Sequence, residues 1–109
     1  MYIYKIIYII RGSAVFQWDD HKSKENKRKH GLSFDEILEV FDDPYLHEIY
    51  DINHSVEGED RYKCLGCFEG FLIILVVVTE NNGIRRIISA RRATTKEKAF
   101  YYETIKETT

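Results

Sequence analysis

Residues 71–78 read F-L-I-I-L-V-V-V, eight apolar residues without a polar interruption. A strand with one wet face would alternate. This run does not, so it predicts a central strand over Phe71–Thr79 that is covered on both faces. Asn81-Asn82-Gly83 follows. Asn and Gly tolerate positive φ, so the chain turns back through a hairpin into a second strand, Ile84–Arg91. Ahead of the run, Arg61–Cys67 reads as a third strand, joined through Glu69-Gly70. The rest of the chain must pack on this meander.

The flanking segments read as helices and short strands. Phe16-Gln-Trp18 is a short alternating strand. Asp19 or Asp20 can cap a helix over about 21–29, which stops at Gly31, a residue suited to the left-handed position. Arg28 and Lys29 suit the negative end of that helix. Ser33-x-x-Glu36 is a capping box that opens a second helix, with Phe34, Ile37, Leu38 and Phe41 on one stripe and Asp43-Pro44 as its end. Tyr45–Tyr50 reads as a strand and residues 51–60 as a polar loop. Thr94-x-x-Glu97 opens a last helix with Ala99, Tyr102 and Ile105 on one side. The fold class is therefore α+β: a short N-terminal strand, two helices, an antiparallel β-sheet meander and a C-terminal helix.

At 109 residues, 44% of them apolar, the chain supports one domain with one modest core, filled largely by eight Tyr, six Phe and one Trp. The first ten residues, M-Y-I-Y-K-I-I-Y-I-I, fall short of the roughly 20 that span a bilayer. A lysine inside the apolar run and the lack of an A-x-A site argue against a signal peptide. We therefore expect no membrane association, and a division into residues 1–15, an N-terminal extension or extra strand, and a domain over 16–109. Such a flat strand would aggregate unless it packs on the sheet or on a partner. Cys64 and Cys67 form C-L-G-C within a strand-like segment. Three-residue spacing puts the thiols on opposite faces, so they read as small buried groups and not as a redox or zinc site. Nothing points to an oxidising compartment, and a cytoplasmic location is expected.

A formal net charge of −2 hides a strong segregation. From Gly31 to Asp60 there are ten acids and no Lys or Arg, whereas residues 21–30 carry five cations and residues 85–98 carry six. A basic face attracts nucleic-acid phosphate; the alternative is that these charges simply solvate helix surfaces. Three function classes follow: an enzyme acting on nucleic acid, a non-catalytic nucleic-acid-binding module using the basic helix, and a protein whose basic face docks on an acidic partner.

Three blocks carry a family likeness: F16-x-W18-D19-x-x-K22-x-x-x-N26-x-x-K29-H30-G31-x-S33-F34, then D51-x-x-H54-S55-x-E57-G58-E59-x-R61, then R86-I87-I88-S89-A90-R91-x-A93-T94-x-x-E97. In this order they resemble the BrnT family of toxins of type II toxin–antitoxin systems. Residues 1–13 look like an addition to the family pattern, and C-L-G-C departs from it slightly. The resemblance implies a RelE-like fold and a ribonuclease that cuts mRNA and halts growth. It also implies a BrnA-like ribbon-helix-helix antitoxin, which neutralises the toxin and through which alone operator DNA is bound.

Metal-free RNA cleavage sends the ribose 2′-OH against the adjacent phosphorus. It needs a base, an acid and cations for the developing charge. Arg61 and Arg86, on separate strands, are the first candidates for phosphate contact, and Arg91 is the next. Strict alternation puts Arg86 and Arg91 on opposite faces unless a bulge intervenes. The other reading of Arg91 is a clamp on the acidic loop or on a helix C-terminus. His30 is the candidate for proton transfer, or else a helix-end residue satisfying carbonyls. Glu59 is a base working with Arg61 or its ion-pair partner. Lys22, Asn26 and Lys29 share a helix face that could track an RNA backbone. Trp18 and Phe16 read as core anchors. His54, Glu57 and Glu59 lie in a loop and read as its solvation or as a cation's partners, so no metal and no cofactor are expected.

Overall fold

The computed structural model describes residues 5–108. Strand β1 (Ile6–Arg11) turns at Gly12-Ser13 into β2 (Ala14–Asp19), which runs into helix α1 (Asp20–His30). A 3-10 segment (Glu36–Asp42) precedes β3 (His47–Tyr50), β4 (Asp60–Phe68), β5 (Leu72–Asn81), β6 (Ile84–Arg92) and helix α2 (Thr95–Thr108). The strands form one sheet in the order β1-β2-β6-β5-β4-β3. Of the apolar N-terminus, residues 6–11 pair along their whole length with β2; residues 1–4 lie outside the described residues. No described helix is long and apolar enough to cross a membrane.

Local signals account for most element ends. The Asp19 carboxylate accepts the His21 N–H at 2.8 Å and caps α1, and Gly31 closes it at φ 75° with its N–H on the Lys27 carbonyl. The second box works in both directions: Glu97 accepts the Thr94 N–H, and Thr94 Oγ1 accepts the Glu97 N–H. The eight-residue apolar run lies largely in β5, which has neighbours on both sides and cover on both faces.

Three expectations need correction. The sheet is mixed, because β2 runs parallel to β6 through Val15–Gln17 and Ile84–Arg86. The second helix is a 3-10 segment. Its tighter winding stacks Ile37 over Val40, both fully buried. The strand expected from Tyr45 begins at His47.

The sheet separates two cores. One face packs Phe16, Trp18, Val76, Val78, Ile87 and Ala90 against Leu32, Phe34 and the 3-10 segment. The other packs Leu65, Ile73 and Leu75 under Tyr101 of α2. The cysteines divide accordingly, Cys64 in the first core and Cys67 beside the second, both free. Asp43 ties the layers together: one of its carboxylate oxygens accepts the Cys67 N–H at 2.8 Å and the Tyr101 hydroxyl at 2.5 Å.

One irregularity matters beyond the fold. Val77 pairs with Ser89 but Val78 pairs with Ile87, so Ile88 is an extra residue in β6. Beyond Arg86, β2 no longer borders β6, and the carboxamide of α1's Asn26 takes its place. Asn26 Oδ1 accepts the Ala90 N–H at 3.2 Å. Its Nδ2 donates to the carbonyls of Ala90 (2.8 Å) and Leu32 (2.7 Å).

Candidate active site

Arg61 on β4 stands opposite Thr79 on β5, Thr79 opposite Arg86 on β6, and Arg86 opposite Gln17 on β2. Paired residues share a sheet face, so these four form one row across the sheet. Two strand spacings put the Arg61 and Arg86 backbones about 10 Å apart, within the joint reach of two guanidinium arms. Among the described residues, neither arginine has a carboxylate at ion-pairing distance. The Nε of Arg61 is buried without an acceptor. Such a donor costs about 1–3 kcal/mol.

The loop before β4 is tied down without using that charge. Ser55 Oγ accepts the Arg61 N–H at 2.9 Å, and the Arg61 carbonyl accepts the Asp51 N–H at 2.8 Å. The Asp51 carboxylate is taken up by His54 Nδ1, also at 2.9 Å, and this bond holds the carboxyl below its ordinary range. Glu59 is held by paired backbone bonds to Val56 around Gly58. Its side chain is exposed and lines a cavity of about 260 Å³ with Arg86, Gln17 and Thr79.

The Ile88 bulge resolves the alternation problem. Ile87 and Ala90 both enter the first core, so Arg86 and Arg91 both point to the opposite face, the face of Arg61. Arg91, however, is engaged. Its guanidinium grips the Glu97 carboxylate with two bonds, at 2.8 and 3.1 Å. The pair holds the Glu97 carboxyl down at about 2. Arg91 is thus a clamp on the first turn of α2, neither on the acidic loop nor on a helix C-terminus. Neighbouring Arg85 faces the first core and is held by Glu48 and Glu80.

Helix α1 contributes a second cavity, of about 250 Å³, where Lys22, Lys29 and His30 meet Ile88 and Ser89 at the bulge. The three basic side chains are exposed. Asn26 also borders it but is 7% exposed, with its amide committed to Ala90 and Leu32. It shares the Lys22–Lys29 face, as expected, but its own hydrogen bonds hold the backbone of β6 and Leu32. His30 does not line the cavity of Arg86 and Glu59. The expected site residues therefore fall into three groups: Arg61, Arg86 and Glu59 around one row; Lys22, Lys29 and His30 beside it along β6; and Arg91 locked by Glu97.

Sequence reasoning did not mark Thr79 or Gln17, which complete the row, and it saw Glu97 only as a cap. Strand register would have found the first two. Among the described residues, no three His, Cys, Asp or Glu side chains converge. Chemically, the arrangement offers two half-buried guanidinium groups without carboxylate partners among the described residues, with the Glu59 carboxylate in the cavity of Arg86: a set able to hold a phosphodiester and accept a proton.

Two comparisons with known proteins agree with each other. Residues 18–97 match the family described as "Ribonuclease toxin, BrnT, of type II toxin-antitoxin system". Among solved structures, the chain is similar to the ribonuclease toxin BrnT of Brucella abortus. The two are 28% identical with a TM-score of 0.54, over 72% of this chain and 94% of that one. A comparison with the curated proteins finds no significant match.

Proposed function

Because the chain belongs to the BrnT family of ribonuclease toxins of type II toxin–antitoxin systems, we propose that it is an endoribonuclease that cuts mRNA without a metal ion. In this reading a BrnA-like ribbon-helix-helix antitoxin neutralises it and alone carries the operator contacts, and the toxin acts in the cytoplasm. The helices packed on a largely antiparallel sheet support a RelE-like assignment.

The observation that carries the reading is the row of Arg61, Thr79 and Arg86, with both arginines free of carboxylates among the described residues. The scissile phosphate lies across the two guanidinium groups. Their planar forks meet its oxygens and offset the charge that builds on the pentavalent phosphorus. Glu59, in the Arg86 cavity, takes the proton from the 2′-OH. The 2′-oxygen bonds to phosphorus, the bond to the 5′-oxygen breaks, and that oxygen takes a proton from water at the open mouth. The products are a 2′,3′-cyclic phosphate and a 5′-hydroxyl. His30, Lys22 and Lys29 grip the next stretch of backbone along β6. Arg91 joins the reaction only when Glu97 releases it. Asn26 serves RNA binding indirectly, by holding β6.

The test is RNA cleavage and growth arrest with Arg61→Ala and Arg86→Ala. Each is expected to lose roughly a hundredfold to a thousandfold in cleavage rate, the loss seen when one preorganised donor to a transition-state oxyanion is removed. Full toxicity in both variants would remove the catalytic assignment.

A further inference from the structure

A second hollow opens on the sheet face that carries Arg61 and Arg86. Ile49, Leu65 and Leu75 make its floor, Phe100 of α2 its wall, and Lys63 and Lys96 its rim; it encloses about 240 Å³. Arg61 pairs with Thr79 and Lys63 with Val77. The hollow therefore begins two residues along the strand from the arginine row, about 7 Å, a gap that one ribose spans. Its one acid, Glu97, is neutralised by Arg91. Among the described residues, Lys63 and Lys96 have no carboxylate at ion-pairing distance. Phe100 is 45% exposed, and His47 holds its ring in a T-shaped contact at 4.8 Å.

An apolar slot edged by two cations and set beside a phosphate site matches a nucleotide: a flat apolar base flanked by anionic backbone. We infer that this hollow receives the nucleobase next to the phosphate held by Arg61 and Arg86, with the base stacked on Phe100 and Lys63 and Lys96 on the flanking phosphates. This rests on the RNA-cleaving reading above and adds a base subsite to it. Aromatic stacking accepts any base because every base has a π face. The slot therefore fixes where the strand sits over the arginines more than it reads sequence. An apolar side chain of a protein partner is the competing occupant.

The experiment measures binding of a short 2′-deoxy-substituted, uncleavable RNA by anisotropy, alongside the same oligomer with one abasic site moved along it. Wild-type protein is expected to bind the abasic oligomer about tenfold more weakly at one position, in line with the loss of one stacked base. Phe100→Ala should weaken the intact oligomer by the same factor and erase the abasic difference, while Phe100→Tyr keeps both. Arg61→Ala should weaken intact and abasic oligomers alike. If Phe100→Ala binds the intact oligomer like wild type while Arg61→Ala does not, the base subsite is wrong and the phosphate site stands. The base subsite is equally wrong if the wild type shows no abasic difference at any position. Binding that is indifferent to Arg61→Ala removes the phosphate site and this subsite with it.

Discussion

The carboxamide of Asn26 binds both backbone groups of Ala90, 64 positions further along the chain, and stands in for the strand that β6 lacks there. This side chain borders the Ile88 bulge, and the bulge places Arg86 and Arg91 on one face. Asn26→Ala leaves the Ala90 N–H and C=O and the Leu32 carbonyl buried without partners. It should cost about 2–4 kcal/mol in urea unfolding. A loss below about 0.5 kcal/mol, the range of neutral surface changes, would show that the helix does not hold β6.

The Arg91–Glu97 clamp has a pH signature. The Glu97 carboxyl is held at about 2 against an ordinary 4.5, first by its bonds to Arg91. A depressed carboxylate stabilises the folded state above its unfolded pKa and loses that contribution as pH falls through the folded one. The window therefore runs from about 4.5 down to about 2. Arg91 is 40% exposed, so solvent screening reduces the effect to about 1–2 kcal/mol. Glu97→Gln should remove this part of the acid-unfolding curve and lower stability at neutral pH. An unchanged acid limb would contradict the clamp.

Gly66 lies where the 3-10 segment crosses β4. A Cβ there would sit 2.5 Å from Val40 Cγ1 and 3.0 Å from Leu46 Cδ1. Valine is stiff at χ1 and cannot swing away. Gly66→Ala should destabilise by about 1–3 kcal/mol through overpacking, read as a lower thermal midpoint. A neutral result would mean the segment rides higher on the sheet.

The β5 run, the Asp19 cap, the Gly31 stop and the Thr94–Glu97 box are local, each decided within a few residues, and each is legible in the chain. The Ile88 bulge lies beside the bonds from Asn26 to Ala90, and nothing around Ile88 announces it. The parallel pairing of β2 with β6 joins segments about 70 residues apart, beyond any local pattern. Arg61 and Arg86 stand out in the sequence as cations on inner strands. Their lack of partners is not readable there, because it depends on Asp51 bonding His54 and on Glu80 and Glu48 turning to Arg85. Asn26 carries the opposite error: a polar residue on a basic helix looks like surface until a strand edge is found beneath it.

The two thiols should behave differently. Burial pushes the Cys64 thiol up to about 12, while Cys67, also raised by burial, is only half-buried. Native protein treated with iodoacetamide at mildly alkaline pH should take at most one adduct, at Cys67, and a second at Cys64 only after denaturation. Rapid native labelling of Cys64 would show that the first core is open.

The central claim is that Arg61 and Arg86 act on one phosphate, and a double-mutant cycle on RNA cleavage tests it most directly. Residues that work as a unit are strongly non-additive. Arg61→Ala with Arg86→Ala should therefore cleave little more slowly than either single variant. Losses that multiply in full, or a single variant that cleaves at the wild-type rate, would mean that the two guanidinium groups do not share a substrate atom.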